Sequence, residues 1–332
     1  TVMPEVAIGE PHAFLLGSPR SGTTWMAKIF DSHPDVFYLH EPDIVLRQPE
    51  IPHLPAAGSA ATSTAAVRLY VEQLCRLRKT RALGSLPLFP KTYRPGLTTP
   101  LFNSLIYGGH AIEKLLGYIN LRRNIEIPFV FYKKRQPAFT LIKSVSSLGR
   151  AELFRNATQD TKIVHIVRHP AAQIASRLRG SRMGVLDGDT FVRQLARTTV
   201  ARLYGLSEDV MRTMSLEGRM ACQWLIMNTL VHDALAADAR YRLLIYEDLC
   251  RDPSAVSREL LAWCGLGWTA QTENFVNWST RGGGGERFFG VVRSSAAEVG
   301  KWRHLLDARQ IADITGVVER TAFGRSVLER TA

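Results

Sequence analysis

The sequence is poor in cysteine: Cys75, Cys222, Cys250 and Cys264 are spread over 332 residues, without a C-x-x-C pair. This spacing argues against a structural zinc site, and we expect buried free thiols. Long apolar runs are also lacking. No stretch approaches the roughly eighteen apolar residues that a membrane-spanning helix needs, so we expect a soluble chain without a transmembrane segment.

Acidic side chains are in the minority, because 42 Lys and Arg residues face 30 Asp and Glu residues and give a net charge of +12. This charge favours negatively charged partners, either nucleic acid or a small anionic cofactor. The basic residues are scattered along the chain, and no helix-turn-helix, zinc-finger or aromatic-rich strand motif accompanies them. We therefore expect a small anion and no nucleic acid.

The stretch Phe14–Trp25 reads FLLGSPRSGTTW, an apolar run followed by a Gly, Ser and Arg loop that opens a helix. Amides in the first turn of a helix have no intrahelical acceptor, so a phosphate or sulfate can bind where Gly22–Thr24 begin the helix. Residues Gly17–Thr24 nearly match the P-loop pattern, but Thr23 occupies the position of its lysine. The loop suits a shorter anion held by Arg20 and hydroxyl groups. An ordinary strand-turn-helix is the alternative interpretation.

Short apolar runs alternate with helical patterns, which predicts an α/β fold with a P-loop-like arrangement of three layers, a central parallel sheet flanked by helices. The predicted strands are Ala13–Leu16, Val36–Leu39, Phe139–Ile142, Ile163–Val167 and Leu243–Ile245. The predicted helices are Thr23–Ser32, Ala65–Arg78, Ala111–Arg122, Pro170–Arg179, Phe191–Tyr204, Gly218–Ala237 and Ser254–Cys264. We expect a single domain over residues 1–332, with surface insertions around residues 44–137.

Polar residues follow each predicted strand. They are Gly17–Arg20, His40–Glu41, Lys143, Arg168 and Tyr246–Asp248. Ligands of open parallel sheets bind beyond the carboxyl ends of the strands, so these residues form one candidate site. The acid pairs Asp31/Asp35 and Glu247/Asp248 are interpreted as turn and capping residues rather than as paired catalytic carboxylates.

Four segments together resemble the sulfotransferases that use 3′-phosphoadenosine 5′-phosphosulfate (PAPS). The first, PRSGTTW at Pro19–Trp25, is similar to the 5′-phosphosulfate loop of that family, and HPDVFYLHEP at His33–Pro42 follows it as in Golgi carbohydrate sulfotransferases. The second, KIVHIVRHPAAQIASRL at Lys162–Leu178, resembles the 3′-phosphate motif. The third and fourth are YRLLIYEDL at Tyr241–Leu249 and RSSAAEVGKWR at Arg293–Arg303.

The resemblance implies transfer of a sulfuryl group from PAPS to an acceptor hydroxyl by in-line displacement, with release of adenosine 3′,5′-bisphosphate (PAP) and without a metal. A carbohydrate is the favoured acceptor, to be bound by the insertions; a tyrosine, phenol or lipid alcohol stays open. A P-loop kinase and a non-catalytic nucleotide-binding module are the alternative function classes. The expected compartment is the cytoplasm for a bacterial protein, or the Golgi lumen for a chain whose N-terminal anchor was removed.

The resemblance also implies the residues that bind the nucleotide, which needs two separate anion sites. The first site takes Arg20, Ser21, Gly22, Thr23, Thr24 and Trp25. The second takes Arg168 and Ser176, a guanidinium and a helix hydroxyl that share the 3′-phosphate. Tyr246, Arg293, Ser294, Ser295 and Lys301 are further candidates, the last four in a loop around residues 281–303 that is expected to cover the cofactor.

For the transfer itself, the resemblance implies that Glu41 is the general base that removes the proton of the acceptor hydroxyl. Lys143, assisted by Arg20, would contact the oxygen that bridges sulfur and phosphorus and stabilise its growing charge. His40 is the alternative base, and a loop residue without a catalytic task is its other interpretation.

Overall fold

The computed structural model describes residues 12–54, 62–94, 96–116, 126–127, 137–182, 192–281 and 299–331. Within these ranges, five parallel strands form one sheet in the spatial order β2, β3, β1, β4 and β5. The strands are β1 His12–Leu16, β2 Val36–His40, β3 Phe139–Ser144, β4 Thr161–Val167 and β5 Tyr241–Ile245. All five predicted strands are confirmed, and the observed strands β1 to β5 extend them by one or two residues at an end.

Helices connect the strands on both sides of the sheet. The helices of the first half are α1 Thr23–Ser32, α2 Pro42–Val45, α3 Thr64–Cys75, α4 Thr80–Leu83, α5 Thr98–Leu116, α6 Ala151–Ala157 and α7 Pro170–Arg182. Those of the second half are α8 Val192–Ala196, α9 Thr199–Leu203, α10 Glu208–Thr213, α11 Leu216–Leu235, α12 Tyr246–Arg251, α13 Pro253–Trp263, α14 Ala270–Thr280, α15 Ala308–Val318 and α16 Ala322–Thr331. Short 3₁₀ helices occupy Leu148–Arg150 and Lys301–His304.

The two faces of the sheet bury different hydrophobic clusters. Phe14 and Leu16 of β1 pack into the cluster that includes residues of α3, α6, α7 and α11. Ala13 and Leu15, which alternate with them, pack into the cluster of α1, α13 and α14. Alternate residues of a strand point to opposite faces, so a run of apolar residues serves both layers. The predicted three-layer α/β architecture is confirmed.

Two predicted helices differ from the structure. The helix predicted over Ala111–Arg122 begins at Thr98, and residues 117–122 lie outside the described part of the chain. The helix predicted over Phe191–Tyr204 is broken into α8 and α9, because the Thr198 hydroxyl accepts a hydrogen bond from the Ala201 amide and starts a new helix. The single-domain assignment stays a prediction.

Cys222 and Cys264 are buried free thiols, as the sequence predicts; Cys250 is also buried, whereas Cys75 is half-buried. A search of the described residues finds no helix with the length and apolar character that crossing a bilayer requires.

Candidate functional site

The carboxyl ends of the strands bring the predicted site residues to one edge of the sheet. β1 lies between β3 and β4, so its loop lies between Lys143 at the end of β3 and Arg168 after β4. Glu41 follows β2 on the far side of Lys143, and its amide donates to the Lys143 carbonyl at 2.8 Å. Tyr246 begins α12 directly after β5. The strand order alone thus gathers residues as far apart in the sequence as Arg20 and Tyr246.

The loop between β1 and α1 has the geometry of an anion cradle. Arg20 and Gly22 have φ angles of 75° and 95°, in the left-handed region. A Cβ at Gly22 would lie 2.2 Å from a ring carbon of Tyr246, so only glycine fits between the loop and that ring. No side chain caps α1 at Gly22, and the Trp25 amide donates to the Gly22 carbonyl, which leaves the amides of Thr23 and Thr24 for an anion.

The two predicted anion sites contact each other directly. The Nε of Arg20 donates to the Ser176 Oγ at 3.0 Å, and an Nη of Arg168 donates to the Arg20 carbonyl at 3.3 Å. The Arg168 guanidinium lies 4.7 Å from the centre of the Tyr246 ring, a cation–π contact. The Nε of Arg168 is buried without a hydrogen-bond partner. An arginine held in this way presents its remaining donors to a ligand.

Several buried residues hold the backbone at Arg168 and His169. The Trp224 indole donates to the Arg168 carbonyl at 3.1 Å, and Glu247 accepts from the His169 amide at 3.1 Å. The His169 ring stacks on Trp302 with 4.4 Å between the ring centres. This stacking brings the 3₁₀ turn of Lys301 beside the second anion site. Trp224 is a core residue, 1% exposed, and its N–H also positions the Arg168 backbone.

Glu41 and Lys143 form an ion pair at the sheet edge. The Lys143 side chain is only 3% exposed, whereas that of Glu41 is 18% exposed. Glu41 has a φ of 47°, a left-handed conformation that is uncommon outside glycine. The carboxylate is therefore reachable from solvent, while the ammonium lies behind it.

A buried polar network joins the loops that follow β2 and β3. The Oδ2 of Asp43 accepts from the hydroxyls of Ser144 and Ser147 at 2.6 and 2.7 Å. Arg150 is 1% exposed and donates to the carbonyls of Gln48, Ile51 and Pro52. Asp43 and Ser144 adjoin Glu41 and Lys143 in the sequence, so the network fixes both loops that carry the pair. Sequence reasoning missed it, because small hydroxyl residues in a loop carry no pattern of their own.

The alternative base, His40, is neutral in this setting. Burial, together with Lys143, Lys28 and Arg81, holds the pKa of His40 well below its usual value. Its Nδ1 is hydrogen-bonded to the Tyr38 hydroxyl at 2.7 Å. A ring of such low basicity is a weaker proton acceptor than an ordinary histidine.

The contacts of Asp31 contradict its interpretation as a turn or capping residue. Its carboxylate lies between two buried lysines, 2.7 Å from the Lys28 ammonium and 3.0 Å from that of Lys91. Burial raises the pKa of Asp31, but the two lysines outweigh it and keep the pKa below its usual value. This triad ties α1 to the segment around residue 91 and is structural. Glu247 accepts a hydrogen bond from the His169 amide, in the loop that follows β4.

The remaining predicted residues fall in different settings. Ser21 and Thr23 are buried and Thr24 is half-buried in the loop, whereas Lys301 is exposed. The Trp25 side chain is 3% exposed and its indole donates to Ser279 of α14 at 3.0 Å, so it packs the helix rather than facing the cradle. Arg293, Ser294 and Ser295 lie outside the described residues. Among those described, no three His, Cys, Asp or Glu side chains are grouped as metal ligands would be.

The chain is similar to known proteins over most of its length. A sequence profile for the sulfotransferase family matches residues 11–270. Carbohydrate sulfotransferase 5 of Mus musculus is 28% identical over 95% of this chain and 81% of its own length. Carbohydrate sulfotransferase 6 of Homo sapiens is 28% identical over 90% of this chain and 76% of its own length.

Solved structures give a weaker similarity. A mouse sulfotransferase complexed with PAP aligns with a TM-score of 0.45 and 15% identity, over 96% of this chain and 89% of that chain. The sulfotransferase domain from the curacin biosynthetic pathway aligns with a TM-score of 0.43 and 14% identity, over 96% of both chains.

Proposed function

We propose that this chain, which belongs to the sulfotransferase family, transfers a sulfuryl group from PAPS to a hydroxyl group of a carbohydrate. The proposal rests on the contacts that join the two anion sites, from Arg20 to Ser176 and from Arg168 to the Arg20 carbonyl. A nucleotide with groups at both its 5′ and its 3′ positions needs two such sites side by side. A nucleoside triphosphate, whose phosphates form one chain, does not.

The described residues suit such a nucleotide. The uncapped first turn of α1 offers its amides to the 5′ group. Arg168 Nε and Ser21 Oγ are buried without a protein partner, and such groups in a native protein call for a ligand or an equivalent explanation. In the proposed complex, Arg20, Ser21, Gly22, Thr23 and Thr24 hold the 5′ phosphosulfate, and Arg168 and Ser176 hold the 3′-phosphate.

The proposed chemistry uses the ion pair at the sheet edge. PAPS supplies the sulfuryl group, which is bonded through an oxygen to a phosphate; that oxygen leaves with the electrons of the bond. The acceptor oxygen bonds to sulfur and loses its proton, which Glu41 takes as general base. Lys143 stabilises the charge on the leaving oxygen. An ammonium group has three donors, so Lys143 can contact this oxygen while it still bonds Glu41.

The carbohydrate acceptor is supported by the relatives. Two proteins named carbohydrate sulfotransferases match over 95% and 90% of this chain, which includes the loops around the sheet edge. A tyrosine, a phenol and a lipid alcohol would use the same base and the same donor site. An experiment must therefore distinguish a carbohydrate acceptor from these alternatives.

A transfer assay with radiolabelled PAPS tests the proposed reaction. A neutral glycan, an acidic glycan, a tyrosine peptide and a phenol are offered in separate reactions, and we expect label on a glycan. Glu41→Gln removes the base but keeps the shape of the side chain, so kcat should fall by at least about a hundredfold. PAP affinity should not change.

Glu259→Gln on the exposed surface of α13 is the matched control and should turn over at the wild-type rate. Wild-type turnover by Glu41→Gln would remove Glu41 as the base. Absence of label from every hydroxyl acceptor would contradict the proposed function.

A further inference from the structure

A cavity of about 350 Å³ lies between the loops that follow β2 and β3, the strands whose ends carry the Glu41–Lys143 pair. Asp43 and Ser146, which line it, follow Glu41 and Lys143 by two and three residues. Its size falls in the range of small-molecule sites, roughly 300–1,000 Å³. An acceptor whose hydroxyl reaches Glu41 can extend along these loops into the cavity.

The walls of the cavity are held in place by the protein. Asp43 bonds Ser144 and Ser147, and Arg150 bonds three backbone carbonyls of the opposite wall. Both charged side chains are at least 97% buried. A pocket with such fixed walls binds a ligand without the cost of ordering its own loops.

Among the arginines and the aspartate that line the cavity, Arg47 is the exposed one. The lining contains two arginines and one aspartate. Asp43 is bonded to two serines and Arg150 to carbonyls, and both are buried. Arg47 is exposed, and among the described residues its guanidinium has no hydrogen bond or ion pair with the protein. A negatively charged group is its natural partner.

His53 adds a hydrogen-bond acceptor at the same cavity. Its Nδ1 lies 3.0 Å from the Ser146 carbonyl. A carbonyl only accepts, so Nδ1 carries the proton and Nε2 is the acceptor of the neutral ring. Burial, with Arg150 and Arg47 nearby, also lowers the pKa of His53 and favours this neutral form. The ring therefore suits a hydroxyl donor, while Ile44 and Pro49 supply apolar surface.

We propose that this cavity is an acceptor subsite for an acidic sugar, which adjoins the sugar that receives the sulfuryl group. Arg47 binds the acid group of that sugar, and His53 accepts a hydrogen bond from one of its hydroxyls. The apolar edge of the cavity contacts the CH face of the ring. This assignment rests on the proposed function, because it takes Glu41 as the place where the acceptor reacts.

Binding of two hexasaccharides to the full chain tests the assignment. One probe alternates glucuronate and N-acetylgalactosamine without sulfate; the other alternates galactose and N-acetylglucosamine and is neutral. We expect calorimetry to show roughly tenfold tighter binding of the acidic probe, the size of a charge-assisted hydrogen bond reduced by solvent screening.

Arg47→Ala should bring the affinity for the acidic probe down to that for the neutral one, and Arg47→Lys should keep part of the difference. Arg47 is exposed, so neither change should affect folding. Arg258→Ala on α13, at the other face of the sheet, is the matched control and should bind both probes as the wild type does.

Equal affinity for the two probes, failure of the acidic probe to bind, or an unchanged preference in Arg47→Ala would overturn the assignment. PAP is titrated into the same preparations. Normal PAP binding beside one of these results would overturn the subsite alone. Loss of PAP binding would instead count against the proposed function, so the two failures are distinguishable.

Discussion

Arg20 and Glu41 are the non-glycine residues with a positive φ within the described ranges, and both are candidate site residues. A left-handed conformation of such a residue costs about 1–3 kcal/mol and persists only where the surroundings impose it. At Arg20 the bonds to Ser176 and Arg168 do so; at Glu41 the bond to Lys143 does. The left-handed backbone conformation directs each side chain toward the edge of the sheet where the reaction is proposed.

Gly22 is the residue whose backbone the cradle needs most. Gly22→Ala should destabilise the protein and weaken PAP binding, because the new methyl group would lie 2.2 Å from the Tyr246 ring at a φ of 95°. Gly205→Ala is the matched control: Gly205 has a φ of 64° and open space around it. The control should lose only about 1–2 kcal/mol of backbone energy.

Urea unfolding and calorimetric titration with PAP measure the two effects of the glycine substitutions. Equal losses of unfolding free energy in Gly22→Ala and Gly205→Ala would show that the Tyr246 ring moves away from the new methyl group without a loss of stability. Unchanged PAP binding in Gly22→Ala would contradict the role of this loop as the cradle.

Sequence reasoning found Arg20, Glu41, Lys143 and Arg168 because each one follows a readable apolar run. Parallel strands carry such residues to the same edge whatever the details of packing. Asp43 and Arg47 had no such signal. What they do depends on a tertiary arrangement between the loops after β2 and β3, which local periodicity does not encode.

Asp43 connects helix α2 with the end of strand β3, because its carboxylate accepts a hydrogen bond from Ser144. Asp43→Asn replaces one of the carboxylate oxygens with a donor and removes the charge that Ser144 and Ser147 bond. We expect a loss of about 1–3 kcal/mol in unfolding free energy, the cost of disturbing a buried hydrogen-bonded charge. A lower kcat should accompany it, since both loops of the Glu41–Lys143 pair are held by this network.

Equilibrium urea unfolding and steady-state kinetics check this prediction, with Asp233→Asn on the exposed face of α11 as the control. Full stability of Asp43→Asn would mean that the serines rearrange freely. Normal stability with normal kcat would contradict the positioning role of the network.

The helices that sequence reasoning missed include α15, although its start is readable. Asp307 accepts from the Gln310 amide and Gln310 accepts from the Asp307 amide, a capping box whose residue spacing is visible in the sequence. The break between α8 and α9 was harder to foresee. Apolar periodicity continues across Thr198 and predicts one continuous helix. In the structure, Thr198 caps a new helix, and both α8 and α9 pack on α11.

The free energy of unfolding of the whole protein should decrease in acid, because His165 is buried in the core. It lies between Tyr241 and Asn228, and burial lowers its pKa to about 4. An unfolded histidine, with a pKa of about 6.5, binds a proton between pH 6.5 and 4 that the folded form does not. The contribution of neutral His165 to the free energy of unfolding is therefore fully present above pH 6.5, and it is lost as the pH falls from 6.5 towards 4.

The expected slope is up to about 1.4 kcal/mol per pH unit for this histidine. Urea midpoints between pH 7 and pH 5 measure it. His165→Gln should show a shallower pH dependence than the wild type, while the exposed control His304→Gln should keep the wild-type slope. Parallel curves for the wild type and His165→Gln would contradict a buried neutral His165.

We propose that one edge of the sheet holds two adjoining anion sites for a bisphosphorylated nucleotide. Calorimetric titration with PAP, beside ATP with magnesium, tests it most directly. We expect PAP to bind without metal and more tightly than magnesium-ATP. Binding should weaken by roughly tenfold or more in Arg168→Ala, which loses a charge-assisted contact, and by less in Ser176→Ala. A preference for magnesium-ATP, or PAP binding that is unchanged in Arg168→Ala, would contradict the account.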